Sequence, residues 1–173
     1  MKQNLNMKNY LFLYGICLSL VFLSCKNEPE KKLETVKPNP TLNKEMLLTA
    51  MNTHMKAVSD RDLEALKSTL SPNGNMQLIL PGMEVIETVD GFMEYHREWF
   101  EAKDWSFDYN ILNTEVGETM GMVVMSFTYK EPESDGKPYF NRMVISYDLQ
   151  KIDGTWYVVK DHASSVEKST DPK

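Results

Sequence analysis

Three histidines, a serine and an arginine are the side chains in this sequence best suited to acid–base chemistry or ligand binding. The histidines, His54, His96 and His162, occur singly rather than at the paired spacing that metal sites use. The sequence also lacks the Gly-x-Ser-x-Gly motif of a nucleophilic serine and a glycine-rich phosphate-binding loop. We therefore expect neither a metal nor any other cofactor.

A β-hairpin near the C-terminus is predicted to carry most of these candidates. Apolar runs at residues 143–149 and 156–159 flank the dipeptide Asp153-Gly154, which is a strong hairpin signal. Alternate side chains of a strand share one face, so every second residue from Trp156 onward is expected on the face of that tryptophan.

Strict alternation places His162 and Ser164 on this face, and Arg142 lies at the same polar edge of the hairpin. In a pocket, His162 would orient or protonate a ligand; alternatively, it is a structural histidine bonded to backbone at a strand end. Arg142 would clamp a carboxylate, or form a surface ion pair with Asp161 or Asp148. We predict His162, Ser164 and Arg142 as candidate ligand-binding residues, with the structural alternatives open.

Two predicted helices would position the remaining candidates. Residues 41–59 carry apolar side chains at helical spacing, and His54 lies on that stripe. Residues 89–100 form another helix, which carries Tyr95 and Trp99. His54, Tyr95 and Trp99 are each either core residues or pocket residues, and we include them among the candidate ligand-binding residues.

Size, charge and element order favour a single small α+β domain. The chain has 173 residues and a formal net charge of −6, and it lacks the basic stripe that nucleic-acid binding requires. Helices precede a run of alternating strands, which predicts helices packed on one face of an antiparallel sheet. A curved sheet over the first helix would leave a cavity for a small molecule, and the 12 methionines would make that cavity permissive to apolar ligands.

The first 24 residues are predicted to be a secretory signal. Lys2 and Lys8 precede an apolar run at residues 10–23, which is too short to span a bilayer stably. A small residue directly before Cys25 resembles the lipobox of bacterial lipoproteins, in which the signal is removed and the cysteine is lipidated. The resemblance implies a palmitate-type anchor at Cys25 in the cell envelope; the alternative is an ordinary signal peptide. Lys26 is not the aspartate that directs inner-membrane retention, which favours the outer membrane.

The segment after the cysteine is charged and rich in proline, which is typical of a disordered tether. The predicted organisation is a signal peptide at 1–24, a tether at 25–42, a domain at 43–166 and a polar tail at 167–173.

Four motifs in chain order resemble the nuclear-transport-factor-2-like superfamily, in its SnoaL-like or DUF4440-type branch. They are residues 58–66 (VSDRDLEAL), 70–74 (LSPNG), 89–91 (VDG) opening a helix that ends in Trp99-Phe100, and 153–164 (DGTWYVVKDHAS). The resemblance covers most of residues 42–166. It implies a cone of helices and a curved antiparallel sheet, frequently dimeric through the outer sheet face. The superfamily mixes enzymes with non-catalytic domains, so the fold leaves the function open.

The catalytic residues of known branches do not transfer directly. Ketosteroid isomerases of this fold use a tyrosine, an aspartate base and a buried aspartic acid, whose positions fall at His54, Leu80 and near Ser146. Leucine cannot abstract a proton, so we do not expect that chemistry. Residues 60–62 (DRD) contain the letters of the limonene-epoxide-hydrolase set, but consecutive residues cannot converge on one water, and we interpret them as a helix cap.

Three hypotheses follow for the function. The first is a lipid-anchored, dimeric domain that binds a small apolar or amphipathic ligand near His162, Arg142 and Trp99. The second is an isomerase, dehydratase or hydrolase that uses a His54–His162 or His162–Asp161 pair. The third is an envelope interaction module with a filled cone. Two titratable groups within hydrogen-bond reach in a cavity would favour the enzyme. An open apolar cavity would favour the binding domain, and a filled cone would favour the interaction module.

Overall fold

A computed structural model describes residues 39–102, 104–134 and 136–172. The predicted signal peptide, Cys25 and the tether up to residue 38 lie outside these described residues. The elements are helices α1 (Pro40–Asp60), α2 (Leu63–Ser68) and α3 (Val89–Glu101), and strands β1 (Gln77–Ile79), β2 (Val85–Glu87), β3 (Ser106–Val116), β4 (Met120–Ser134), β5 (Lys137–Ile152) and β6 (Thr155–Lys168). Within the described part, no helix has the length and apolar character needed to cross a membrane.

The long first helix packs its apolar stripe into the core. Asn39 caps α1 by accepting a hydrogen bond from the Thr41 amide at 3.1 Å, and Pro40 occupies the first turn. Leu47, Met51 and Met55, at helical spacing, are almost fully buried. The helix therefore begins within the segment predicted as tether, and its inner face forms the floor on which the sheet packs.

Residues 60–62 form the junction between α1 and α2, as the sequence predicted. Arg61 ends α1 in the left-handed conformation, with φ at 56°. The Asp62 carboxylate accepts a hydrogen bond from the Ala65 amide at 2.9 Å and so caps α2. Asp60 instead forms an exposed ion pair with Lys56.

The six strands form one mixed sheet in the order β2-β1-β6-β5-β4-β3. The predicted antiparallel meander is confirmed for β3 to β6. The predicted α+β fold of helices packed on a curved sheet is confirmed, and the parallel pair of β1 with β6 makes the predicted antiparallel sheet a mixed one. The short strand β2, which pairs with β1, was not predicted.

The predicted hairpin of β5 and β6 is confirmed. Asp153 and Gly154 both have positive φ, 48° and 84°, as a two-residue type I′ turn requires. Beyond the turn the register shifts: Leu149 pairs with Val158, whereas Asp148 pairs with Lys160, so Val159 is an extra residue in β6. Such a bulge bends the sheet and exchanges the two faces of the strand beyond it. The strand continues to Lys168, two residues into the segment predicted as a polar tail.

Candidate functional site

A cavity of about 390 Å³ lies between α1, α3 and the inner face of the sheet. Most of its wall is apolar, and none of the described residues that line it is Lys or Arg. Its polar side chains come from both helices and from three neighbouring strands: His54, Tyr95, His96, Tyr129, Glu131, Tyr139, Asn141, Tyr147 and Asp161.

His54, on α1, is a neutral histidine whose free ring nitrogen is a hydrogen-bond acceptor. Its Nδ1 lies 2.7 Å from the Thr69 hydroxyl oxygen, and that hydroxyl donates its single hydrogen to the Leu66 carbonyl at 2.6 Å. Nδ1 must therefore carry the ring proton, which leaves a lone pair on Nε2. Burial, with a smaller contribution from His96, lowers the pKa of His54 to about 3. Nε2 is buried and has no partner among the described residues.

His96, on α3, is held in the same tautomer. Its Nδ1 donates to the Phe92 carbonyl at 2.9 Å, and its ring stacks on the Phe92 ring with centroids 3.9 Å apart. Burial lowers the pKa of His96 to about 4, although the hydrogen bond to Phe92 opposes that shift. Both histidines of the cavity are therefore uncharged at neutral pH.

Asp161, on β6, is the buried acid of the site. It is only 8% exposed and pairs in register with Tyr147 on β5. Burial raises the pKa of Asp161 to about 7, and a hydrogen bond from the Tyr147 side chain opposes the shift. Its Oδ1 has no partner among the described residues. The carboxyl group can therefore give or take a proton near neutral pH.

The predicted orientation of His162 and Ser164 was wrong. Both are exposed and lie outside the cavity, whereas Asp161 and Ala163 are buried and line it. The cause is the extra residue Val159, which reverses the alternation that Trp156 and Val158 begin. The proposed catalytic pairs with His162 are therefore not assembled in the cavity.

Arg142 is also placed outside the cavity. It is on the outer face of β5, forms an ion pair with Glu167 and lies 4.9 Å from the centre of the Phe140 ring. Its predicted partners Asp161 and Asp148 are engaged elsewhere, since Asp148 pairs with Lys160 at 2.8 Å. Arg142 cannot clamp a carboxylate inside the cavity from this position.

The other three candidates, His54, Tyr95 and Trp99, all line the cavity. Trp99 stacks on Trp105 with centroids 4.5 Å apart and accepts a hydrogen bond from the Trp105 indole at 3.2 Å through its carbonyl. Tyr95 lies close enough to Asp161 for that charge, after burial, to raise the tyrosine pKa. Together with Tyr129 on β4 and Tyr139 on β5, these two side chains form the aromatic wall of the cavity.

Of the nine polar side chains of the cavity, only His54 and Tyr95 were predicted ligand-binding residues, and sequence reasoning missed the other seven: His96, Tyr129, Glu131, Tyr139, Asn141, Tyr147 and Asp161. The position of the buried aspartic acid of ketosteroid isomerases was placed near Ser146, but Ser146 faces outward opposite His162. The buried acid here is Asp161 on the neighbouring strand, opposite the inward-facing Tyr147. The consecutive β-branched pair before Lys160 was the available signal, since it breaks the alternation where the bulge occurs. No cluster of three His, Cys, Asp or Glu side chains suited to a metal is found among the described residues.

A sequence profile of the SnoaL-like domain matches residues 47–167. No curated protein matches the sequence.

Solved structures with the same fold are distant in sequence. A putative dehydratase of the NTF2-like family from Streptomyces avermitilis is 16% identical, with a TM-score of 0.66 over 74% of this chain and 99% of its own. Hexachlorocyclohexane dehydrochlorinase LinA-type3 from Novosphingobium barchaimii is 13% identical, with a TM-score of 0.65 over 75% of this chain and 90% of its own. The association domain of C. elegans CaMKII is 21% identical, with a TM-score of 0.56 over 72% of this chain and 97% of its own. At these identities the likeness shows the fold alone.

Proposed function

Because the chain belongs to the SnoaL-like family, whose fold encloses a cavity here, we propose that its domain binds a small, largely apolar molecule in that cavity. The observation that carries the proposal is a space of about 390 Å³ that no described side chain fills. Its walls are mainly apolar and aromatic, and a few polar groups converge on it, which is the usual character of a small-molecule site. An interaction module with a filled cone would lack this space.

Filling the cavity should abolish binding of a neutral apolar probe. We expect the wild-type domain to bind N-phenyl-1-naphthylamine with a rise in probe fluorescence and one site per chain. Ala163→Phe places a ring in the cavity and should weaken binding by at least about tenfold. Fluorescence titration measures the dissociation constants.

The matched control is Ser164→Phe, which adds the same ring one residue further along β6, on the outer face. It should bind the probe as the wild type does. Ile145→Phe is a second cavity-filling variant on β5, and circular dichroism confirms that each variant is folded. Equal probe affinity in all four proteins, or no binding to the wild type, would contradict the proposal.

A second candidate function is acid–base catalysis on the bound molecule. Asp161, with a pKa of about 7, shares the cavity with the lone pair of His54 Nε2. Tyr147 donates a hydrogen bond to Asp161, and its ring centre lies 5.6 Å from that of His54. Two proton-transferring groups in an apolar space are typical of such enzymes. The structural neighbours named as a putative dehydratase and a dehydrochlorinase also support acid–base catalysis as the second candidate. Deuterium uptake from D₂O beside the carbonyl of a bound ketone probe, lost in Asp161→Asn, would distinguish enzyme from binding domain.

We also propose that acyl chains on Cys25 tether the domain to the cell envelope, with the outer membrane favoured over the inner. The support is the sequence pattern of residues 1–26 alone. In bacteria fed an alkyne analogue of palmitate, the wild type and Cys17→Ala should be labelled, whereas Cys25→Ala should not. Labelling of Cys25→Ala would refute the anchor.

We further propose that the domain forms a homodimer through the outer sheet face. One structural neighbour is an association domain, and Val144 on the outer face of β5 is 38% exposed. Light scattering of the domain should give the mass of two chains, and a single-chain mass at micromolar concentration would refute the dimer.

A further inference from the structure

The unsatisfied polar atoms of the cavity share one property, which is that they accept hydrogen bonds. Three buried side-chain atoms that line it have no partner among the described residues: His54 Nε2, Asn141 Oδ1 and Asp161 Oδ1. His54 Nε2 accepts because its Nδ1 holds the ring proton. Buried polar groups without partners are costly, so a ligand that satisfies them is favoured over one that leaves them empty. Such a ligand must be a hydrogen-bond donor.

The charge of the cavity has one sign. Glu131 and Asp161 both line it, none of its described lining residues is Lys or Arg, and both of its histidines are neutral. A cation is therefore the ligand charge that this lining attracts, and a bound carboxylate or phosphate would meet no cationic side chain among the described lining residues.

The aromatic wall adds to this preference. The rings of Trp99 and Tyr129 have centroids 6.1 Å apart, and those of Tyr129 and Tyr139 lie 6.4 Å apart, so several ring faces and edges border one end of the cavity. The Tyr129 hydroxyl donates to Glu131 at 2.7 Å, which holds that carboxylate among the rings. Aromatic rings beside a carboxylate attract organic cations through their quadrupoles.

We propose that the natural ligand is a protonated alkylamine, whose ammonium group lies against Asp161 and whose apolar body lies along the aromatic wall. This inference rests on the proposed function, because it names the class of molecule that the same cavity binds. An ammonium group has three donors and no acceptor, which suits the three unpartnered acceptor atoms of the cavity. The net reaction at pH 6 is the exchange of the Asp161 proton, released to water, for the bound alkylammonium ion.

Among the described residues that line the cavity around Asp161, none carries a positive charge at neutral pH. Tyr147 faces it from β5, His54 from α1, and Tyr95 and His96 from α3, while β1 places Leu78 beside it in register and has no ionisable side chain. A bound ammonium would lower the pKa of Asp161 below its free value of about 7. Amine affinity should therefore increase by up to about tenfold per unit as the pH rises toward 7, and level off above it.

One carbon skeleton with three charges tests the inference. The probes are 4-phenylbutan-1-amine, 4-phenylbutan-1-ol and 4-phenylbutanoate, each titrated into the wild-type domain by calorimetry at pH 6 and pH 8. At pH 8 the amine should bind at least about tenfold more tightly than the alcohol, and the acid should bind more weakly than both. Only the amine should bind more tightly at pH 8 than at pH 6.

Two variants locate the ammonium group. Asp161→Asn should reduce amine affinity to that of the alcohol and remove its pH dependence, with alcohol affinity within about threefold of wild type. Glu131→Gln, at the other carboxylate of the lining, should weaken amine binding by less than Asp161→Asn does, and Asp108→Asn, at an exposed carboxylate of β3, should leave amine affinity within about threefold of wild type. If Glu131→Gln instead removes the preference, the ammonium lies among the rings and the proposed placement is wrong.

The outcomes separate this inference from the proposed function. Equal affinity for the three probes, or tightest binding of the acid, would overturn the inference that the ligand is an alkylamine. The proposal that the cavity binds small molecules would still stand. Binding of N-phenyl-1-naphthylamine without binding of any of the three has the same meaning. Failure of all four probes to bind the folded wild type overturns both proposals.

Discussion

Asp161→Asn is expected to raise the free energy of unfolding relative to wild type at pH 8. The difference between variant and wild type should be about 3 kcal/mol more favourable to the variant at pH 8 than at pH 4.5. The folded state raises the pKa of Asp161 from 3.8 to about 7, so the folded chain holds the proton more tightly than the unfolded chain does. The stabilisation is complete below pH 3.8 and is lost as the pH rises through 7. Asparagine is never ionised, so the variant escapes the loss and can still bond to Tyr147.

Urea unfolding at a series of pH values measures the effect, and the difference between variant and wild type isolates this one group. Asp108→Asn is the control, because Asp108 is an exposed carboxylate on β3 whose side chain is 75% accessible. The free energy of unfolding of this variant, plotted against pH, should differ from that of the wild type by a constant amount. If the Asp161→Asn difference is the same at pH 4.5 and pH 8, Asp161 does not titrate as proposed.

His54→Asn is expected to show the opposite dependence on pH. The folded state lowers the pKa of His54 from 6.5 to about 3, so its contribution is complete above pH 6.5 and is lost as the pH falls toward 3. Asparagine keeps a donor near the Thr69 hydroxyl and cannot be protonated. The variant should be less stable than wild type at pH 7.5, because packing is lost, and should recover about 3 kcal/mol relative to wild type at pH 4.5.

The same urea series checks this result, with His162→Asn as the matched control. His162 is the same residue type on the outer face of the sheet, and its substitution should leave the profile unchanged. A constant difference between His54→Asn and wild type across this range would mean that folding leaves the pKa of His54 unchanged, and that its ring is more hydrated than the structure shows.

The elements that local chemistry determines were predictable from the sequence. The Asp153-Gly154 turn, the Asp62 cap and the apolar stripe of α1 each depend on residues within a few positions of one another, and all three are present. The parallel pairing of β1 with β6 joins segments about 80 residues apart, with Leu78 beside Asp161. Such pairings depend on tertiary packing, which short-range patterns do not contain.

The candidate site was only half predictable, because three of its six predicted residues line the cavity and two of the other three were misplaced by one bulge. Three candidates on helices, His54, Tyr95 and Trp99, line the cavity, because helical periodicity is insensitive to distant pairing. The two candidates on β6, His162 and Ser164, failed because alternation along that strand is reversed after Val158, whereas Arg142 lies on the outer face of β5, paired with Glu167. Asp161 was considered only as a partner of its neighbours, since strict period-two alternation put it on the wrong face.

The bulge at Val159 has a consequence for comparing this protein with its relatives. Between the turn and the cavity, the presence or absence of a bulge decides whether the acid or its neighbour enters the cavity. If the same residues paired with β5 without the bulge, His162 would lie inside and Asp161 outside, whereas a chain that lacks Val159 would alternate regularly and keep Asp161 inside. Two relatives with identical letters in these positions can therefore have chemically different pockets, and matching them requires counting residues by strand pairing rather than by sequence column.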